Sequence, residues 1–176
     1  MLIVEGTDGV GKTTLCQRLV KELEVHGPWI YSHFGKLPST WDYPWSYIPR
    51  ISQYVVQDRF HMSEIAYRVA RGEEQQLHPE AYRLVDAYLR MSGSCTVVIT
   101  QSPSTLKRLW KEDSNGVTIE QAHLANVEFM NLISNQITMH KYTVDFDIWW
   151  TPHDDITYPA EDDNFVRNIL TRYLRR

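Results

Sequence analysis

Four residues near the start of the chain define the chemistry to look for. Gly6, Gly11, Lys12 and Thr13 fill the spacing G-x-x-x-x-G-K-[ST], directly after the apolar run Leu2-Ile3-Val4 and directly before a segment with helical periodicity. Glycines at those positions let the backbone curl with its N–H groups inward, and the N-terminus of the following helix adds partial positive charge at the same point. The result is a phosphate-binding loop. Gly6, Thr7, Asp8, Gly9, Val10, Gly11, Lys12, Thr13 and Thr14 are its expected contacts to ATP, with Lys12 reaching the β- and γ-phosphates and Thr13 holding Mg²⁺. Two further groups fall where a ligand of this loop would need them. One is Asp58-Arg59 with the helix behind it; the other is the basic run Lys107, Arg108 and Lys111 ahead of Asp113-Ser114-Asn115-Gly116. Phosphoryl transfer asks a protein mainly for positioning and positive charge, so the three together read as a phosphotransferase.

The elements that must hold these groups follow from periodicity. Leu15, Leu19, Val20 and Leu23 predict a helix from residue 12 to about 26, ended by Gly27-Pro28. Residues 29–31 and 53–57 read as strands, with a Pro- and aromatic-rich loop between them. A helix over 63–72 begins with Ser63 as N-cap, and one opened by Pro79 carries an inner stripe of Tyr82, Val85, Tyr88 and Leu89. Residues 95–100 form a continuous apolar strand, of the kind that parallel sheets bury on both faces. Ser102-Pro103 starts a helix through Leu106 and Leu109. Thr118 and Gln121 have capping-box spacing at the head of the longest helix, whose stripe is Ile119, Ala122, Asn126, Phe129, Ile133 and Ile137. Residues 142–150 alternate as a strand, and a last helix spans about 162–174. Strands alternating with helices imply a three-layer α/β domain with a parallel sheet of about five strands, and ligands in such sheets bind beyond the carboxyl ends of the strands.

Composition narrows the partners. The chain of 176 residues suffices for one domain, and 43% hydrophobic with 23% charged residues is ordinary for a soluble protein. A net charge of −4 lacks the basic footprint of a stable nucleic-acid binder but suits small nucleotides. No apolar run approaches the ~20 residues of a membrane span, and no basic segment followed by an apolar one marks a signal peptide. Cys16 and Cys95 read as buried thiols, and the seven histidines show no metal-ligand spacing. A cytoplasmic location is expected.

The run Val4-Glu5-Gly6-Thr7-Asp8-Gly9-Val10-Gly11-Lys12-Thr13-Thr14 and the segment Asp58-Arg59-Phe60-His61-Met62-Ser63-Glu64-Ile65-Ala66-Tyr67 resemble the two signatures of the thymidylate kinase family. The second signature discriminates, because phosphate loops alone occur very widely. The resemblance covers most of the chain and implies a P-loop kinase fold of α/β type. It also implies a MgATP-dependent deoxynucleoside monophosphate kinase. Under that resemblance Asp8 and Asp58 lie near the magnesium and the acceptor phosphate, and Arg59 grips that phosphate. Tyr67 sits under the sugar, crowding the 2′-position, and Glu64 touches the base. Thr13 and Asp58 are the implied metal residues, and Lys12, Asp8, Arg59 and Arg108 the implied catalytic set. Gly9 stands where eukaryotic-type members carry an arginine, which implies a lid around residues 104–117 whose Arg108 or Lys111 swings onto the γ-phosphate. Homodimers are common in the family, and its compact phage-encoded members are similar in size.

The chain also departs from the family. His33-Phe34-Gly35-Lys36-Leu37-Pro38 replaces an Arg-Glu-Pro-Gly turn, and the segment before Asp58 is short, so the acceptor region around 33–75 is remodelled. Trp41, Tyr43, Trp45 or Tyr47 are candidates to stack on a base, and Arg50 to contact base or phosphate. Plain packing competes for the aromatics and for Tyr67, and a solvated helix face competes for Lys107, Arg108 and Lys111. Two rivals remain: a deoxynucleoside kinase with Glu5 or Asp58 as base toward a 5′-hydroxyl, and a non-catalytic ATP-binding module.

Overall fold

Leu2, Ile3 and Val4 are fully buried because helices cover both faces of strand β1 (Leu2–Gly6). The computed structural model describes residues 1–35, 45–73, 79–110, 116–135, 141–145 and 161–174. After β1 come α1 (Lys12–Leu23), β2 (Ile30–His33), β3 (Val55–Asp58), α2 (His61–Arg71) and α3 (Pro79–Met91). Then follow β4 (Cys95–Thr100), α4 (Pro103–Leu109), α5 (Ile119–Asn135), β5 (Lys141–Asp145) and a final helix, α6 (Asp163–Leu174). The five strands are all parallel, in the order β2-β3-β1-β4-β5.

Period-two alternation sorts the sheet residues into two cores. Leu2, Val4, Val56, Val97 and Ile99 pack under α1 and α6, while Ile3, Val55 and Val98 pack under α2, α3 and α5. This is the three-layer α/β arrangement expected from the alternation of strands and helices. Because β1 is the central strand, everything at its carboxyl end lies in the middle of the ligand-binding edge. Gly6 ends that strand at φ 141°, where a Cβ would lie 2.4 Å from the Ile99 carbonyl oxygen, so only glycine lets β1 pair closely with β4 and turn into the loop.

Several local signals hold at the level of single bonds. The Thr118 N–H donates to Gln121 Oε1 at 3.0 Å and the Gln121 N–H to Thr118 Oγ1 at 3.2 Å, a reciprocal capping box. Ser102 Oγ accepts from the Thr105 N–H, and Asp162 caps α6 through the N–H groups of Asn164 and Phe165. Cys16 and Cys95 are free and buried.

Other expectations are corrected. Helix α2 begins at His61, so Ser63 is inside its first turn and is not the N-cap; a carboxylate from β1 does the capping, as described below. Tyr54 has φ 59° and belongs to the turn before β3, which therefore starts two residues later than alternation suggests. The first helix stops at Leu23 and finishes as a 3₁₀ turn, Glu24–His26. On α3 the buried stripe is Tyr82, Val85, Asp86 and Leu89, with Tyr88 exposed, because buried Asp86 takes the inward place to meet His61. Trp41, Tyr43, Lys111, Ile137, Lys36 to Pro38, the lid stretch 113–115 and the strand residues 146–150 lie outside the described residues. Among the described residues no helix is long and apolar enough to cross a membrane.

Candidate active site

The loop after β1 delivers Lys12 as the first residue of α1, with Gly11 in the left-handed N-cap position. Lys12 is buried; its Nζ donates to the Thr7 carbonyl oxygen and lies 4.0 Å from Asp8 Oδ1. Burial pushes the ammonium below its ordinary pKa, opposed by the charges of Asp58 and Glu5. Gly9, Thr13 and Thr14 are exposed, Val10 belongs to the core under α1, and Thr7 is buried.

β3 is the neighbouring strand and ends in Asp58, which is 1% exposed. The Thr13 hydroxyl donates to Asp58 Oδ2 at 2.6 Å. Asp58 Oδ1 is buried and has no hydrogen-bond partner among the described residues. An orphaned carboxylate oxygen beside a loop threonine fits a hard divalent cation that keeps its other ligands from water and phosphate, as Mg²⁺ does. No group of three His, Cys, Asp or Glu side chains that could hold a metal gathers among the described residues.

Arg59 follows with φ 65°, a left-handed backbone that costs a non-glycine residue about 1 kcal/mol. Its N–H donates to the Val4 carbonyl at 2.9 Å, closing β1 against the start of α2. The guanidinium pairs with the Asp8 carboxylate and lies with Cζ 5.3 Å from the centre of the Tyr67 ring. Tyr67 is 4% exposed and its hydroxyl accepts the Asp8 N–H at 2.7 Å. Loop, Arg59 and Tyr67 thus form one connected unit.

Glu5 holds that unit from below. It is completely buried; Oε1 accepts the N–H groups of Phe60 at 2.9 Å and Met62 at 3.1 Å, and Oε2 accepts the Ser63 hydroxyl. A carboxylate on β1 therefore caps α2 from another strand, where the helix dipole favours negative charge. Burial raises the Glu5 pKa above 4.5, partly offset first by the Ser63 hydroxyl bond. The folded carboxyl then holds its proton more tightly than the unfolded one, so its contribution to stability falls as pH rises from 4.5 through the raised value. Urea titrations should show the stability difference between wild type and Glu5→Gln declining over that window. Parallel pH curves for the two proteins would contradict this.

The other predicted residues are placed less uniformly. Ser63 donates its hydroxyl to Glu5, and Glu64 pairs with Arg68 one turn along α2. Arg50 is exposed, its Nε donating to the Ser46 carbonyl and its guanidinium 4.9 Å from the Phe34 ring centre. Tyr47 is fully buried, stacked on Phe34 at 5.0 Å and edge-on to Phe60 at 5.1 Å; packing takes it, while Trp45 is exposed. Lys107 and Arg108 are exposed on α4, which leaves the carboxyl end of β4, and neither has an ion-pair partner among the described residues.

Three groups escaped the sequence reading. Tyr31 and His33 reach Asp58 from β2; their signal was a Tyr-x-His alternation at the end of a strand. His61 Nε2 meets Asp86 Oδ1 at 2.9 Å in full burial, tying α2 to α3, and its signal was an acid inside an apolar helical stripe.

Fold and loop together define the class: this is the fold of P-loop kinases. The chain is similar to the YorR protein from Bacillus subtilis, crystallised in complex with phosphorylated GDP, at 16% identity and a TM-score of 0.68, over 97% of this chain and 93% of that one. It is also similar to a gluconokinase from Sinorhizobium meliloti 1021, at 14% identity and a TM-score of 0.53, over 99% and 91% of the two chains. No protein-family model matches the sequence, and no curated protein matches it.

Proposed function

We propose that the chain is a MgATP-dependent kinase of deoxynucleoside monophosphates, acting within one domain over residues 1–176. The observation that carries this reading is the pair of cations flanking the Asp8 carboxylate, Lys12 from the loop and Arg59 from the end of β3. Lys12 serves the donor phosphates, and Arg59, held against Tyr67, serves the phosphate of the acceptor, with Tyr67 beneath its sugar. Thr13 and Asp58 would hold Mg²⁺, which supplies charge neutralisation between donor oxygens. That YorR was crystallised with a nucleotide supports small nucleotides as ligands. An acceptor phosphate is already ionised and needs no general base. Both Glu5 oxygens are taken by α2, which leaves Asp58, read here as a metal residue, as the carboxylate a 5′-hydroxyl acceptor would need for a base.

A coupled assay of ADP release from MgATP, run with every deoxy- and ribonucleoside monophosphate, tests the proposal. Release dependent on one or a few deoxynucleotides is expected. Release only with nucleosides would make the chain a deoxynucleoside kinase, and ATP binding without release a non-catalytic module.

Arg108, exposed on α4 and without an ion-pair partner among the described residues, is the lid cation in this reading. Arg108→Ala is expected to lower turnover ~10²-fold, as loss of one transition-state donor does, with ATP affinity nearly unchanged. Near-wild-type turnover in that variant would move the role to another residue.

A further inference from the structure

β2 is an edge strand, paired in parallel with β3 so that His33 lies opposite Asp58 and Tyr31 opposite Val56. Alternate residues share a face, so Tyr31, His33 and Asp58 project toward α1 together with Val56, the side on which Thr13 lies in the first turn of the helix. The contacts converge on one atom. Asp58 Oδ2 accepts from the Thr13 hydroxyl at 2.6 Å and the Tyr31 hydroxyl at 3.1 Å, and His33 Nδ1 lies 3.3 Å from it. Asp58 Oδ1, equally buried, has no hydrogen-bond partner among the described residues.

Three groups on one oxygen fix the rotation of the carboxylate and leave the other oxygen as the free valence. A carboxylate needing only solubility or an ion pair would not be arranged so, since burying an acceptor unpaired costs roughly 1–3 kcal/mol. We propose that Tyr31 and His33 are positioning residues that orient Asp58 so that Oδ1 is presented to the divalent cation of the bound nucleotide. The proposal rests on reading Asp58 and Thr13 as the metal residues. It deepens that reading by placing part of the metal's outer shell on an edge strand that carries no motif. Partners of metal-bound carboxylates are expected to tune affinity in this way. Tyr31 is a suitable donor, because a phenol keeps its proton at neutral pH and its hydroxyl lies 3.1 Å from Asp58 Oδ2. Both residues are accessible enough to be replaced without opening the core, Tyr31 being 36% exposed and the His33 side chain 47%.

The test measures binding and needs no acceptor, so it stands apart from the outcome of the acceptor screen. ATP is titrated calorimetrically into wild type, Tyr31→Phe, His33→Ala, His33→Asn and the Tyr31→Phe/His33→Ala double variant, in EDTA and at stepped Mg²⁺ concentrations. In the double variant the Mg²⁺ concentration needed for tight ATP binding is expected to rise about tenfold, the low end of outer-shell effects. ATP binding in EDTA should be unchanged, as should the melting temperatures. His33→Asn, whose amide nitrogen takes the place of Nδ1, should recover most of the loss in His33→Ala. An unchanged Mg²⁺ requirement in the double variant overturns the proposal. So does a loss of equal size in EDTA, which would mean that the pair serves the nucleotide or the fold. Wild-type protein that binds ATP no better with Mg²⁺ than in EDTA overturns it as well.

Discussion

Lys12→Ala is expected to reduce kcat/KM for MgATP-dependent transfer by about three orders of magnitude, the scale at which phosphate-binding cations act in such sites. Lys12 is 5% exposed, and desolvation lowers its pKa against the opposing charges of Asp58 and Glu5. A cation in that setting is unscreened by water and acts at full strength on phosphate oxygens. Its Nζ rests on the Thr7 carbonyl and near Asp8, contacts that triphosphate oxygens can replace without moving the backbone. Lys12→Met, which keeps the apolar stem, should lose as much turnover as the alanine variant. ADP-release kinetics within about tenfold of wild type for either variant would show that the loop does not bind the transferring phosphate.

Arg59→Ala is expected to lose turnover on a similar scale, with the damage concentrated in KM for the acceptor rather than for ATP. Here the backbone supplies an internal control. Because Arg59 sits at φ 65°, Arg59→Gly removes the guanidinium and relieves the left-handed strain, whereas Arg59→Ala removes the guanidinium and keeps the strain. The two variants should be equally inactive, yet the glycine variant should be more stable by about 1 kcal/mol in urea. A protein keeps a strained residue at such a position when the side chain is needed there, and here Asp8 and Tyr67 hold the guanidinium, while the backbone bond to the Val4 carbonyl would survive in glycine. If Arg59→Gly kept its acceptor KM, the guanidinium would be structural and the acceptor assignment would fail.

The chain by itself determined whatever depends on neighbours a few residues away. The loop spacing, the Thr118 and Gln121 capping box, the Ser102-Pro103 helix start and the bounds of β4 were all legible, because turn chemistry, caps and hydrophobic period are local properties. From these the three-layer α/β class with its parallel sheet follows, since strands alternating with helices have few other ways to bury both faces. Asp58 and Arg59 were visible as a pair, though their partners were not.

Tertiary structure alone decided who those partners are. Glu5 reaches Phe60 across 55 residues of sequence, and Asp8 reaches Tyr67 across 59, so no local pattern announces either bond. Which strand lies beside β3 settles whether Tyr31 and His33 face Asp58 or solvent, and the order β2-β3-β1-β4-β5 is a property of the packed sheet. The same packing withdrew Ser63 from its expected capping role, turned Tyr88 outward in favour of Asp86, and took Tyr47 into the core. Side-chain type and spacing announce a phosphate loop; the burial of each polar atom, and therefore the direction in which it must seek its partner, is determined only once the two cores have closed on the sheet.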